Sequence, residues 1–426
     1  MRRMAPQTMR TTHGREVTAM HAKDLGKPLS RAVTVFYFSA FLLLFLRDFK
    51  WEGLALAIAV PMLNVLTTTI LPRLFPSDKL LLSLPNFLCA RGVLVLYDTN
   101  PAYAYTQATY YFAGLLAMVI CIYLVRIFRT FRLLIWPMMA VSLALLALPL
   151  VIGKETYGAK NWFYVGNVSV QPSEIVKLVL VIVLARFMAD RRMLPWLTFS
   201  VGCLGILMLQ KDLGTALLYF FTTIFLFYAS SGNLALTGIG LGAGAGAAVA
   251  GYHMFAHVKR RVAIWRNPWS DYDNAGYQII HSLMAIASGG LFGVGLGLGS
   301  PRTIPVYHTD FIFAVICEQF GLIFGCCVLL IYVAIICRGA MIAMNTRSSF
   351  HGLLAMAITL LLGLQTFVII GGVFKLIPLT GVTMPFVSYG GTSLISCLCL
   401  VGLLQGVASI NEDNLKEDSR LASFTE

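Results

Sequence analysis

The sequence is poor in charge. Only 12% of its 426 residues are Asp, Glu, Lys or Arg, against roughly 25% in an ordinary soluble domain. Hydrophobic residues make up 58%, and they form continuous runs without the alternation of membrane β-barrel strands. The composition therefore excludes a soluble globular enzyme and a barrel, and it predicts an all-α, polytopic membrane helix bundle.

The sequence also lacks the features of several other protein classes. Its nine Cys lie in apolar runs without ligand spacing, which predicts that they are small core residues. The Gly-rich segment 288–300 lacks the strand-to-helix context of a nucleotide loop. Basic residues are scattered among loops, so we expect no nucleic-acid partner. The polar first 31 residues run into an apolar segment without a cleavage site, so we expect no cleavable signal peptide.

About twelve apolar runs are long enough to cross a bilayer as helices. Polar or Pro-marked turns separate them. The predicted spans are residues 32–47, 52–74, 80–97, 108–127, 132–152, 172–189, 195–210, 212–231, 233–256, 310–337, 350–373 and 385–409.

The positions of Lys and Arg predict the orientation, since basic residues near span ends favour the cytoplasm. They cluster in the first 31 residues and at segments 126–132 and 186–192, so both termini are expected on the cytoplasmic side. One outer loop breaks this rule, at Lys259, Arg260, Arg261, Arg266 and Arg302. Cations there indicate an anionic ligand, such as lipid phosphate, although long loops also break the rule by chance.

The predicted organisation has four parts. They are a basic cytoplasmic tail (1–31), two additional N-terminal spans (32–79), a core (80–409) with the outer loop 257–309, and a cytoplasmic tail (410–426). Within the outer loop, residues 276–289 could form a helix on the membrane surface.

Two polar blocks precede the outer loop. Glu174 and Lys177 share one helix face at three-residue spacing. They could neutralise each other at a helix end, or one of them could line a polar cavity, and both interpretations stay open. Asp212 stands before the next span, where its carboxylate can cap the first-turn amides.

The outer loop ends at an acid. Asp310 lies in the segment His308-Thr309-Asp310-Phe311-Ile312-Phe313-Ala314, at the mouth of an apolar span. A charged Asp at bilayer depth costs roughly 2.5 to 3.5 kcal/mol on insertion scales, so Asp310 is a functional candidate. A last block, residues 385–393, opens the final span and alone indicates only a broken helix start.

In this order, the blocks resemble the SEDS family (shape, elongation, division and sporulation), the group of FtsW, RodA and SpoVE. The similarity spans roughly residues 80 to 409. It rests on Gln171-Pro172-Ser173-Glu174 with Lys177, on Asp212-Leu213-Gly214-Thr215, on Gly276-Tyr277-Gln278 through Gly289-Gly290 to Asp310, and on Pro385-Phe386 with Ser388-Tyr389-Gly390-Gly391.

The resemblance implies a ten-helix peptidoglycan glycosyltransferase in the bacterial cytoplasmic membrane. It would join lipid II units into a nascent glycan strand at the outer face, for elongation, division or sporulation. It implies a class B penicillin-binding protein as transpeptidase partner, with other elongation or division proteins. It also suggests a divalent cation, Mg²⁺ or Mn²⁺, and no organic cofactor. The two extra helices could be a docking site for another membrane protein.

The expected chemistry is an inverting sugar transfer. Asp310 would act as general base, a role commonly worth a factor of about 10² to 10⁴, and cations would neutralise the departing pyrophosphate. Glu318, deeper on the same helix, is interpreted as a structural or tuning group. The predicted substrate-binding residues are Lys259, Arg261, Glu174, Lys177, Gln278, Ser282, His308, Thr309, Ser388 and Tyr389.

Two rival functions and four departures remain open. A lipid-precursor flippase would carry functional charges at several depths, whereas the unusual charges here concentrate on the outer side, which favours an enzyme. A non-catalytic scaffold for a transpeptidase would tolerate loss of Asp310. The departures from the family pattern are Asn161 for Arg, Lys211 for Pro, His281 for Gln and Gln319 for a second Glu.

Overall fold

Helices dominate the structure, a computed structural model that describes residues 8–156, 159–166 and 168–423. Residues 1–7 and 424–426 of the two predicted tails, and Gly158, lie outside the described residues. The helices are α1 (Thr8–Asp48), α2 (Trp51–Thr69), α3 (Leu71–Leu74), α4 (Lys79–Thr99), α5 (Pro101–Phe128), α6 (Ile135–Ile152), α7 (Pro172–Ala189), α8 (Met193–Leu209), α9 (Leu213–Ser231), α10 (Leu234–Met254), α11 (Ala256–Arg266), α12 (Ala275–Gly289), α13 (Ile312–Met344), α14 (Ser349–Val373) and α15 (Gly391–Ser423).

Each of the twelve predicted spans coincides with a helix. In the described part of the chain, ten helices are long and apolar enough to cross a membrane. The other two are α7, which carries Glu174, Lys177 and Arg186, and α8, which has 17 residues. The all-α, multi-pass membrane bundle is therefore confirmed.

Helix starts follow local capping chemistry. The Asp78 side chain accepts from the Leu80 and Leu81 amides at the start of α4, and Asn100 caps α5 with Pro101 in its first turn. Such side chains satisfy amides that have no partner within the helix. These two helices therefore begin where the sequence changes from turn-forming to apolar residues.

Helices α4 and α15 form the centre of the bundle, since 83% of the most apolar window of each is buried. The corresponding share of α10 is 11%, so its Gly-rich surface faces outward. The central α4 also carries Arg91, which is fully buried. Its guanidinium stacks 3.3 Å from the centroid of the Phe320 ring, a cation–π contact that offsets part of the cost of burying the charge.

Several connections are more ordered than the sequence indicated. The α6–α7 connection contains a three-stranded antiparallel sheet in the order β1 (Lys154–Thr156), β2 (Ala159–Val165) and β3 (Val168–Val170). The predicted helix at 276–289 is confirmed as α12, but α11 was missed. Both predicted tails are partly helical, since α1 begins at Thr8 and α15 continues to Ser423.

Helix α13 is broken at Gly321, where φ is 83° and ψ is 169°. A Cβ at this position would collide with the Leu291 carbonyl oxygen, so the break requires glycine. The Gly-rich loop fills the gap, because Val294 N donates to Glu318 O at 2.9 Å and Leu322 N donates to Gly290 O at 2.9 Å. This loop is therefore a fixed part of the bundle.

Candidate active site

Helix α11 presents one polar stripe to the rest of the bundle. His257, Arg261 and Trp265 are spaced four apart and therefore share a face. Trp265 Nε1 donates to the Lys375 carbonyl at 3.1 Å, and Arg261 Nη1 donates to the Thr380 carbonyl at 3.0 Å. The stripe thus fastens α11 to the connection between α14 and α15.

Asp310 lies beside this connection, in the turn before α13. A Cβ added to Gly381 would lie 3.8 Å from Asp310 Oδ2. Gly381 directly follows Thr380, whose carbonyl accepts the hydrogen bond from Arg261. Asp310 as a whole is partly exposed. A carboxylate and a guanidinium therefore face one small region at one end of the bundle.

Burial raises the pKa of Asp310 to about 6, while a hydrogen bond from Thr309 and the charge of Arg261 oppose that shift. Conversely, burial lowers the pKa of Arg261, while the charges of Asp310 and Asp212 oppose the change. Burial and the neighbouring Arg261 also lower the pKa of His257. Near neutral pH the site therefore holds an ionised Asp310 whose affinity for protons is higher than that of a solvated carboxylate.

Asp212 acts as the predicted cap. Its Oδ1 accepts from the Thr215 amide of α9 at 3.1 Å. Its Oδ2 accepts from Asn161 Nδ2 at 2.9 Å and from Gln171 Nε2 at 3.2 Å. The adjacent Lys211 has φ of 60°, a conformation that Pro cannot adopt, so this departure changes the backbone of the turn.

The segment before α15 packs onto the Asp310 turn. Ser388 Oγ donates to the Thr309 carbonyl at 2.6 Å, and Tyr389 N donates to the His308 carbonyl at 2.9 Å. The His308 ring lies 4.8 Å from that of Tyr103, which lies 4.8 Å from that of Tyr389. The structure therefore brings together the four predicted residues His308, Thr309, Ser388 and Tyr389.

Glu174 and Lys177 form a direct ion pair inside the bundle. Lys177 is 3% exposed, and its Nζ also donates to Gln365 Oε1 at 3.4 Å. Ser396 Oγ donates to Glu174 Oε2 at 2.7 Å. This geometry agrees with the paired-charge interpretation. Gln365 connects the ion pair to the segment before α15, because its Nε2 donates to the Thr383 carbonyl at 2.9 Å.

Three predicted binding residues lie elsewhere. Lys259 is exposed on α11, two residues from Arg261, and residues two apart on a helix do not share a face. Gln278 and Ser282 lie on α12, which packs against α13. Ser282 is fully buried and donates to the Ile279 carbonyl of its own helix at 2.8 Å.

A polar clasp connects the additional helix α1 to the α13 break, and it consists of Arg47, Asp98 and Gln319. Asp98 Oδ1 lies 3.0 Å from Arg47 Nη1, and Asp98 Oδ2 accepts from Gln319 Nε2 at 2.7 Å. Gly297 permits this approach, because a Cβ there would collide with Arg47 Nη1. Glu318 Oε1 accepts from Ser300 N at 3.0 Å, which agrees with its interpretation as a structural group.

The donor set does not form an all-protein cation site. Among the described residues, no group of three or more His, Cys, Asp and Glu side chains could hold a metal. Magnesium is commonly held by one or two carboxylates together with substrate phosphates. Any divalent ion at Asp310 would therefore need ligands from a substrate.

Sequence reasoning missed several residues that build the site. Gln107 Nε2 donates to the Ser388 carbonyl at 3.0 Å, and Gly390 N donates to Gln107 Oε1 at 3.3 Å. Tyr103 lies one turn before Gln107 on α5. Their polar character within an apolar helix was a usable signal. The four-residue spacing of His257 and Arg261 was another, but it required a helix at α11, which the sequence analysis missed.

Fold and site together define a membrane protein with a carboxylate at one end of a helix bundle. Residues 80–413 match the family model FtsW/RodA/SpoVE, described as "Cell cycle protein". The chain belongs to this family, which confirms the resemblance drawn from the four blocks.

Relatives and a solved structure agree with this assignment. Peptidoglycan glycosyltransferase RodA of Mycobacterium tuberculosis is 35% identical over 63% of this chain and 62% of its own length. Stage V sporulation protein E of Bacillus subtilis is 31% identical over 78% of this chain and 96% of its own. A chain from a structure described as "Structural coordination of polymerization and crosslinking by a peptidoglycan synthase complex" superposes with a TM-score of 0.69. The two sequences are 29% identical, and the match covers 79% of this chain and 98% of the chain from the solved structure. The chain thus spans 62% of the length of the RodA relative, and it covers nearly all of the other two.

Proposed function

We propose that the protein is a peptidoglycan glycosyltransferase that joins lipid II units at the outer face of the cytoplasmic membrane. The single observation that carries the proposal is the placement of Asp310 beside Arg261 and Gly381, within a chain of this family. The relative with 35% identity carries the name peptidoglycan glycosyltransferase.

Asp310 serves as the general base. It accepts the proton of the acceptor sugar hydroxyl while the oxygen attacks the anomeric carbon, and the bond from that carbon to the pyrophosphate oxygen breaks. A pKa of about 6 suits this role, because a base near the working pH is both mostly ionised and proton-accepting. One base is sufficient for inversion, since pyrophosphate leaves without protonation.

Arg261 has two roles in this scheme. Its charge keeps Asp310 ionised near neutral pH, and it offsets negative charge on the departing pyrophosphate. Lys259 remains a predicted contact for a more distant phosphate. Asp310 is the residue that would hold a Mg²⁺ or Mn²⁺ ion, which would supply further positive charge to offset the negative charge of the pyrophosphate.

Asp310 is positioned by His308 and Thr309, which precede it, and by Ser388 and Tyr389, which bond to their carbonyls. The rings of His308 and Tyr389 offer a surface for a sugar. The partner would be a class B penicillin-binding protein, in line with the polymerization and crosslinking complex named for the structural neighbour. Both termini would lie in the cytoplasm, because α1 and the ends of α5, α7 and α13 carry the basic clusters.

The test uses purified protein in proteoliposomes with labelled lipid II, with and without its transpeptidase partner. The proposal predicts glycan strands that remain after the lipid is removed, with a higher yield in the presence of the partner. Lipid II movement between leaflets without strands would instead support the flippase. Strands that appear only when another polymerase is added would support the scaffold.

A further inference from the structure

A polar cavity lies at the end of the bundle opposite Asp310. Its volume is about 250 Å³, and it forms where α5 ends, α14 begins and α15 leaves the bundle. Asp310 precedes α13, whereas this cavity lies near the far end of that 33-residue helix. The residues that matter for its chemistry are Arg126, Arg129, Arg347, Ser348, His351 and Asp413.

The cavity carries a small positive charge. Arg126 Nη2 lies 3.1 Å from Asp413 Oδ2, and Arg347 pairs with Asp418. Arg129 makes no ion pair within the part of the chain that the structure describes. Three guanidinium groups and two carboxylates therefore leave a formal charge of one, centred on Arg129.

Uncharged donors complete the cavity. Ser348 precedes α14 without a side-chain cap on the first-turn amides, and free amides at a helix start favour anions. His351 is 6% exposed, and its Nε2 has no hydrogen-bond partner within the described ranges. A neutral or protonated imidazole can donate from this nitrogen. The cavity thus offers several donors to one anion.

The surroundings place the cavity at the edge of the apolar spans. The candidate spans end at Phe128 and Met344 and begin at Ser349. Leu133, four residues after Arg129, is 92% exposed, and Met344, three residues before Arg347, is 76% exposed. Phospholipid phosphates lie at this depth, with acyl chains directly beneath.

We propose that this cavity binds the phosphodiester of an anionic phospholipid headgroup. A phosphodiester carries one negative charge, which matches the net charge of the cavity. Its oxygens would accept from Arg129, from the α14 amides and from His351, while its acyl chains would contact Leu133 and Met344. Inorganic phosphate offers the same oxygens, but it has more charge and no apolar part.

The experiment is native mass spectrometry of the full-length protein in detergent, with phosphatidylglycerol, phosphatidylcholine or inorganic phosphate added. The test variant is Arg129→Gln with Arg347→Gln. The matched control is Arg132→Gln with Arg192→Gln, which removes the same charge at the same end of the bundle from residues outside the cavity. Loss of two cations should weaken phosphatidylglycerol retention about 30-fold, and the control should retain it.

A second measurement separates lost binding from lost folding. Phosphatidylglycerol should raise the thermal unfolding midpoint of the native protein and of Arg129→Lys, which keeps the charge, because a ligand stabilises the state it binds. Equal phosphatidylglycerol retention by the native protein and the double variant would overturn the proposal. Equal retention of phosphatidylcholine and phosphatidylglycerol by the native protein would also overturn it. Displacement of phosphatidylglycerol by inorganic phosphate would assign the cavity to a soluble anion instead.

Discussion

At the residue scale, the proposed sugar transfer depends on the proton affinity of one carboxylate. Asp310 was identified from its position, because an acid at the mouth of an apolar run needs a reason to be there. The sequence could not reveal how Arg261 would act on it. Arg261 lies near Asp310 because α11 folds onto the α14–α15 connection. Lys259, on the same helix, lies on its exposed side instead.

Replacing Arg261 should change the pH dependence of the reaction. Because the Arg261 charge opposes the burial that raises the pKa of Asp310, Arg261→Gln should raise that pKa further above 6. A base must be deprotonated, so the rate of polymerisation should fall below about pH 6 in the native protein. In the variant, the fall should begin at a higher pH.

The measurement is the pH–rate profile of lipid II polymerisation between pH 5 and 9. The matched control is Lys259→Gln, which removes one cation from the exposed side of the same helix and should leave the midpoint unchanged. Identical midpoints for Arg261→Gln and Lys259→Gln would contradict the electrostatic role of Arg261.

At the element scale, the apolar pattern predicted nearly every spanning helix, because the bilayer demands long apolar runs. It did not predict α11 or the three-stranded sheet, since polar connections outside the membrane carry no such constraint. The break in α13 was also hidden. Gly321 lies within an apolar run, and only its contact with the Leu291 carbonyl shows why the helix opens there.

The clasp of Arg47, Asp98 and Gln319 gives a prediction for the departure at Gln319. Gln319→Glu would place a second carboxylate where Gln319 Nε2 now donates to Asp98. The lost bond and the repulsion should destabilise the protein by about 1 to 3 kcal/mol. Thermal unfolding in detergent measures this change.

A compensating variant sharpens that test. Asp98→Asn combined with Gln319→Glu reverses the donor and the acceptor, so it should recover most of the lost stability, giving a coupling energy of about 1 kcal/mol. Strictly additive losses for the two changes would show that Asp98 and Gln319 are not coupled within the clasp.

At the scale of the whole molecule, the family blocks predicted the core better than any single residue did. They share an order that only a common fold explains, and the family match over residues 80–413 agrees with the resemblance seen over roughly residues 80 to 409. The two additional helices were visible as apolar runs. Their packing against α4 was not, because nothing in residues 32–74 identifies a partner.

The proposed orientation predicts which ends of the bundle react from outside the cell. In a background without reactive cysteines, Lys259→Cys should react with a membrane-impermeant maleimide in intact cells. Arg132→Cys should react at least tenfold less until the membrane is permeabilised. Both side chains are exposed, so a reversed pattern of labelling would contradict the orientation and the outer location of Asp310.

The most direct test of the whole account is the rate of glycan polymerisation by Asp310→Asn with its transpeptidase partner present. Asn keeps the shape of Asp but cannot accept the proton, so the rate should fall about 10² to 10⁴-fold while the protein stays folded. Asp271→Asn, which removes an acid from the same outer loop, should stay within about twofold of the native rate. A rate for Asp310→Asn equal to that of Asp271→Asn would contradict the proposed role of Asp310 as the base.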